Sequence, residues 1–557
     1  MNIVQHEILY FCAINLNSNN GSKKKSNMFN YNNSGLRKMK RIIFVLFIFA
    51  VLQSLHATIP LPNIPTTQFL ITNYGASTSN VDNSSYINAT ISAANSAGGG
   101  TVVIPSGTFL SGPITMKSNV RFFLDAGSVL QMMPYGTGNG SPAGSYPNNG
   151  TTDSYTHLIF GSGLSNIEVS GTGTIEGNGT DWWTAYKANT NISRPYLIRF
   201  KACNTVLIKD ITLQNAPNVH VCLGQSSSMG SNGTISNITI KAPSTSPNTD
   251  AIDIWYWNGV NIINCNLSEG DDNVAVDSYG QNVSIKNCIF GDGHGVSVGS
   301  YATNVQNLTV DSCTFTNTTN GIRLKSARGR GGADSTFVYS NITMKNVKYP
   351  FYITSWYPTE PYPASAQVAS ALTSTTPSWK NITFKNITAT NSTYAGIIYG
   401  LPEMYVNNIV FDNVQISATN QGLVTNFVSG LVFKNCSSIT VPSSKGAAII
   451  PYNADINGIN LTSGVSTSCS TSVDQINAET ELSCFPNPLT GSSLTINAGF
   501  GIQKVKIYNF TGAEMKEIGG NKLTNLLVNL SDFASGYYII QVVLENGASN
   551  SMKLIKN

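Results

Sequence analysis

Between about residues 160 and 450, apolar and polar residues alternate in short runs on one theme. Each run goes apolar, polar, apolar, polar, Asn or Asp, then Cys, Ile or Val. The runs are VLIKDI (206–211), VNIINC (260–265), VSIKNC (283–288), LTVDSC (308–313), ITMKNV (342–347), ITFKNI (382–387), IVFDNV (409–414) and LVFKNC (431–436). The ends of the second, third and fourth runs lie 23 and 25 residues apart, and later gaps are 34, 40, 27 and 22. Alternation at period two marks a short strand with one face inside. A repeat of this length, built only from strand patterns, Gly and Asn, predicts a parallel β-helix. Each coil then stacks about 4.8 Å from the next. A propeller blade needs four strands in about 40 residues, which a 23-residue unit does not hold.

Stacked coils turn equivalent residues into ladders. Cys265, Cys288 and Cys313 should form one inward ladder of small apolar side chains. Asn264, Asn287 and Asn435 should line a turn, their amides bonding to neighbouring backbone. The longer gaps read as loops pushed out of single coils. Upstream, TVVIP (101–105) and NVRFFL (119–124) read as the first coils. An apolar spacing around 86–94 predicts a short helix that caps the open end and hides its unpaired edge.

After residue 466 the texture changes. A polar linker, 466–482, precedes CFPNP and the alternating runs LTINA, VKIYNF, LLVNL and YYIIQVVL, and the chain ends MKLIKN. This predicts a small β-sandwich over 483–557. At the other end, the apolar run IIFVLFIFAVL (42–52) follows Lys40 and Arg41. Eleven residues are too few for a membrane span, which needs about 20. The pattern predicts a secretory signal peptide within 1–57, with Met39 as the expected start. The region between, 58–465, is assigned to the β-helix.

Composition sharpens this picture. Of 557 residues only 11% are charged, against roughly 25% in ordinary soluble proteins. With 41% hydrophobic residues and 49 Gly, the chain is not a disordered polyelectrolyte, a coiled coil, a collagen or a small disulfide scaffold. The net charge of +4 is too weak to argue for nucleic acid. It also belongs to the leader, since 1–57 holds seven basic residues and one acidic, leaving 25 basic against 27 acidic. None of the nine cysteines forms a CxxC pair, so a zinc knuckle is not expected.

The most regular coils carry the densest polar chemistry. In order come Asn248-Thr249-Asp250, Asp271-Asp272, Gly293-His294-Gly295 and Arg323-Leu324-Lys325. Asp250 to Asp272 is 22 residues, and Asp272 to His294 is another 22. At one coil per repeat the three stack. Arg323 and Lys325 flank one strand residue and share a face. Carboxylates crowded on one face repel, which raises one pKa and supplies a proton donor. A lone acid stack can also bind calcium. Two carboxyls across a glycosidic bond can act as acid and base about 6.5–9.5 Å apart, or with retention at about 5–5.5 Å. Coil spacing does not choose between them. Asp271 and Asp272 are neighbours, so both reach one cleft only if the backbone bends, and Gly270 permits that.

These four motifs, in this order, resemble those of the pectin-cleaving polygalacturonases of glycoside hydrolase family 28. ITNYGA (71–76), GGGTVVIPSGTF (98–109) and GTGTIEGNG with Trp182-Trp183 extend the resemblance to roughly 69–450. It implies an all-β fold, a right-handed parallel β-helix followed by the small sandwich. It implies inverting hydrolysis of α-1,4-linked galacturonic acid bonds, with no cofactor and no metal. Asp271 is then the general acid. Asp250 and Asp272 hold and deprotonate water. His294 tunes the acid, Arg323 and Lys325 bind a galacturonate carboxylate, and Asn248 joins them in binding substrate.

Asn273 stands where many family members have Cys, and Leu324 replaces Ile. The family's cleft tyrosine matches Tyr352, Tyr357 or Tyr399. Rhamnogalacturonan or xylogalacturonan hydrolysis are alternative activities. A lyase or a non-catalytic surface binder on the same scaffold is a further alternative. The tail resembles the C-terminal sorting domain of the type IX secretion system of Bacteroidetes, in its FPNP opening and KLIK ending. The expected partners are an anionic plant cell-wall polysaccharide and that secretion machinery, for a monomer that binds no nucleic acid. The expected location is extracellular or on the outer-membrane surface.

Overall fold

The computed structural model describes residues 59–136, 145–147, 156–224, 227–361, 367–467, 483–498, 500–509, 513–545 and 549–556. The expected leader and nearly all of the linker lie outside the described residues. Two compact units divide between Cys313 and Thr314.

The first unit is a parallel β-helix with three short strands per coil. One coil holds Ile252–Ile254, Trp257–Ile263 and Asn266–Ser268, and the next holds Val274–Val276, Gly280–Lys286 and Ile289–Phe290. Val260 pairs with Val283 and Val283 with Leu308, the register expected from the repeats. Ile262, Ile285 and Val310 are fully buried on the same ladder. Each such side chain contributes about 1.5–3 kcal/mol by leaving water. A coil absent from the sequence reading lies one step earlier, at Gly230–Ser236. Gly233 occupies the inward valine place because Leu223 and the Trp257 indole already fill the space a Cβ would need.

The cap forms as expected. Helix α1 (Ser84–Ser96) buries Ile87, Ile91 and Ala94 on one face, at helical spacing. It packs against the strands Gln68–Leu70 and Gly100–Ile104. Helix α2 (Thr180–Ala188) buries Trp182 and Trp183, and the Trp183 indole donates to the Ala216 carbonyl at 3.0 Å.

The ladders differ in one respect from the expectation. Cys265, Cys288 and Cys313 are buried free thiols. Asn264, however, bonds along the stack to another asparagine rather than to backbone, as do asparagines of a second column. Asn264 Nδ2 donates to Asn237 Oδ1 at 3.2 Å, and Asn307 to Asn282 at 2.9 Å. Asn237, Asn264 and Asn287 all have φ of 55–56°, a left-handed turn that aligns the amides.

The second unit begins with wider coils. Here the sequence alignment slips. ITFKNI pairs with 337–342 rather than with ITMKNV, since Phe337 faces Ile382 and Ile342 faces Ile387. Both segments alternate, so pattern alone did not separate two registers five residues apart. Aromatic stacking marks the true register, with Tyr339, Phe384, Phe411 and Phe433 in successive ring contacts of 4.8–5.4 Å. Asn435 bonds to Asp412, outside the expected ladder. Cys436 is exposed and disulfide-bonded, and Ser437 takes the buried place instead.

The C-terminal part of this unit is antiparallel. A three-stranded sheet (Ser483–Phe485, Ser493–Asn497, Asn525–Asn529) and a four-stranded sheet (Glu514–Gly519, Ile502–Asn509, Gly536–Leu544, Ser549–Lys556) share one apolar core. Among the described residues, no helix is long and apolar enough to cross a membrane.

Candidate active site

The pairing Ile252–Val274–Val296 continues two residues back to Asp250, Asp272 and His294, which hold equivalent places on three successive coils. Asp271 joins them because the chain bends at Gly270 and Asp271 before the strand resumes at Val274. Gly270 is required by space rather than by an unusual φ, since a Cβ there would meet the Ser246 carbonyl oxygen at 2.0 Å. Gly293 has both reasons: its φ is +133°, and a Cβ would press on the Asn273 amide.

Asp271 sits at the centre of the polar contacts. His294 Nδ1 lies 2.9 Å from its Oδ1 and 3.8 Å from Asp272 Oδ1. The His294 backbone N–H also donates to the Asp271 carbonyl at 2.7 Å. Asn248 Nδ2 donates to Asp271 Oδ2 at 3.3 Å. Asn248 has φ of 54°, and Arg194 holds its other end by donating from Nη2 to Asn248 Oδ1 at 2.8 Å. Arg194 also donates to the carbonyls of Pro217 and Pro247, and its guanidinium lies 3.7 Å over the Tyr186 ring. The amide of Asn248 is therefore oriented with its NH₂ toward the acid.

Asp272 is buried and accepts from Ser297 Oγ at 2.6 Å. Asp250 is half-buried. Its carbonyl accepts from the His220 backbone at 2.9 Å and faces His220 Nδ1 at 3.2 Å. Burial pushes the His220 imidazole down to about 4, so the ring is neutral at ordinary pH. The oxygens of Asp271 and Asp272 and a His294 nitrogen lie within 4.8 Å of one another, close enough to share a divalent cation as well as a proton.

Beneath this cluster lies a residue the sequence reading passed over. Glu269 is fully buried. Burial first, then the charges of Asp272, Asp271 and Asp292, hold its carboxyl well above the usual range and favour its neutral form. Its Oε1 accepts from Asn273 Nδ2. Asn273 is itself buried, accepts from the Gly295 N–H at 2.8 Å and donates to the Asp292 carbonyl at 2.9 Å. The signal was available, since alternation from the buried Leu267 points Glu269 inward. His220, Arg194 and Ser297 were likewise passed over, and no motif marks them.

Arg323 and Lys325 lie on the strand Asn320–Lys325 of the second unit. Arg323 is half-buried and Lys325 buried, while Leu324 between them points into the core. The Tyr357 ring centre is 5.5 Å from the Arg323 guanidinium and 5.4 Å from Lys325 Nζ. Tyr352 is 5.9 Å from Arg323 and donates to Glu360 at 2.6 Å. Tyr399 is a buried strand residue.

The sequence profile of the glycosyl hydrolases family 28 matches residues 96–444. The chain belongs to this family. Residues 483–557 match the secretion system C-terminal sorting domain. The chain thus joins a glycosyl hydrolases family 28 domain to a type IX sorting domain, a signal for export to the cell surface or beyond.

Among its relatives is an endo-polygalacturonase of Pectobacterium carotovorum subsp. carotovorum, 34% identical over 275 residues, which are 45% of this chain and 66% of the relative. A second, from Pectobacterium parmentieri, is 33% identical and is covered over 65% of its length. The chain thus spans just under two thirds of the length of these relatives. The solved polygalacturonase from Erwinia carotovora ssp. carotovora aligns with a TM-score of 0.52 at 25% identity, over 72% of this chain and 99% of that one. A hyperthermoactive exopolygalacturonase from Thermotoga maritima, at TM-score 0.53 and 20% identity over 73% of this chain and 96% of that one, shares the fold. The family is that of enzymes acting on pectin-like galacturonans, and this domain is related to them.

Proposed function

We propose that the chain hydrolyses α-1,4-linked galacturonic acid bonds of pectin by an inverting acid/base mechanism. The observation that carries this is the shared carboxylate of Asp271, held by His294 on one oxygen and by Asn248 on the other. A general acid must hold its carboxyl in a fixed orientation, and these two contacts hold it. Asp271 protonates the glycosidic oxygen. Asp272, anchored by Ser297, and Asp250, anchored through its backbone by His220, orient and deprotonate water. Inversion follows from the family resemblance rather than from the distances.

Arg323 and Lys325 grip the uronate carboxylate, Arg by its fork and Lys as a point charge. Tyr357, beside both cations, is the best match to the family's cleft tyrosine. The polysaccharide reading is supported by the names of the relatives and by the paired cations. The domain limits proposed are 58–465 for the catalytic β-helix and 483–557 for the sorting sandwich.

Proton NMR of fresh products from polygalacturonate tests the reaction. New β-anomeric reducing ends, opposite to the α-linkage, are expected. Initial α-ends would overturn inversion. Unsaturated, ultraviolet-absorbing ends would mean a lyase, and products only from rhamnogalacturonan would move the substrate.

A further inference from the structure

The first unit holds a cavity of about 310 Å³ beside the acid cluster, and Asn248 belongs to both. Its lining includes Tyr186, Arg194, Tyr196, Arg199, Asn218 and Asn248, and none of the described residues around it is acidic. Two guanidinium groups thus face a space that adjoins three carboxylates. Arg199 reaches it from the strand Ile198–Lys201, its Nη1 2.7 Å from His157 Nε2 and its guanidinium 5.4 Å from the Tyr196 ring centre. Burial, then Arg199 and Lys201, push the His157 imidazole down to about 3, so it adds polarity without charge. Arg194, fixed by Tyr186 and two carbonyls, makes the wall shared with Asn248.

We propose that this cavity is a subsite that binds one hexuronate residue of the polysaccharide, its carboxylate on Arg199, two or three sugars from the cleaved bond. The proposal rests on the galacturonan reading above. Charge, size and position carry it. A pocket of roughly 300 Å³ is at the small end of ligand sites and suits a single sugar with its water. Tyrosine rings give the sugar an apolar face, and an arginine fork matches a carboxylate. Strand pairing runs Arg199, Cys222, Asp253, Ala275, two coils to the level of Asp250 and three to that of Asp271 and Asp272. At about 4.8 Å per coil the three make about 14 Å, the length of a few linked hexoses.

The test uses the full chain and galacturonate oligomers of two to six residues. Arg199→Gln is expected to lower kcat/KM at least ten-fold on the hexamer, mainly through KM, with the loss shrinking as the oligomer shortens. Arg199→Lys should keep most of the activity. On hexamers whose carboxyls are reduced to alcohols, wild type and Arg199→Gln should not differ. A loss equal at all lengths, or equal on the neutral hexamer, overturns the subsite. Should Arg199→Gln not fold, Ser193→Trp fills the cavity and must show the same length dependence. If the wild type cleaves no galacturonan, the proposed reaction fails, and calorimetric titration with the hexamer still tests the cavity. Binding at least ten-fold weaker in Arg199→Gln supports it, and equal or absent binding overturns it.

Discussion

The coils that carry Asp271 and the C-terminal sandwich solve opposite problems. The sandwich core is apolar throughout, with Leu494, Ile496, Val505, Ile507, Val528, Ile540, Val542 and Leu554 sealed between two antiparallel sheets. Its charges sit outside, as where Lys506 meets Glu514 and Glu517 at 2.8 and 3.0 Å. The acid-bearing coils bury Glu269, Asp272, Asn273, Ser297 and His220 instead. Each of these residues makes at least one hydrogen bond, because burying a polar group without a partner costs kilocalories. Among their buried side-chain oxygens, Glu269 Oε2 alone is left without one. The sandwich is built to fold, whereas the coils spend stability on holding a carboxyl in place.

The largest expected effect separates chemistry from folding. Asp271→Asn should lower cleavage on the order of 10³-fold, the scale of general acid catalysis. Its unfolding midpoint should stay or rise, since one of the clustered carboxylates loses its charge. A fall in both would make Asp271 a structural residue. The mirror experiment is Ile540→Ala in the sandwich. A fully buried isoleucine cut to alanine costs about 2–5 kcal/mol, read as a lower denaturant midpoint for the sandwich. The cleavage rate of the folded protein should not change, and a parallel loss of rate would break the contrast.

The smallest effect concerns Glu269 and depends on pH. Its folded carboxyl titrates above the ordinary value of 4.5. From about pH 4.5 upward the unfolded chain releases that proton while the folded chain keeps it, so stability falls as pH rises through this window. Glu269→Gln removes the slope. Against wild type it should gain stability at pH 8 and nothing at pH 4, measured by denaturant midpoints. An equal shift at both would mean that packing, not the proton, matters there.

Much of this was legible along the chain. Period-two alternation and repeats near 23 residues determined the β-helix, because a stacked coil needs the same inward residues on every turn. The spacing of 22 between Asp250, Asp272 and His294 determined their stacking for the same reason. The change of texture after 466 separated the sorting sandwich. Pattern faltered where one alternating run resembles another, as at 337–347, and where a coil's inward place is glycine, as at Gly233. Only the tertiary structure decided which end of the Asn248 amide faces Asp271, because Arg194, 54 residues away in sequence, sets it. It alone placed a buried Glu269, its carboxyl pKa raised by burial, beneath the acids and a cation-lined cavity beside them. Periodicity records which way a side chain points, while a hydrogen-bond partner, a pKa or a cavity depends on groups brought together from distant coils.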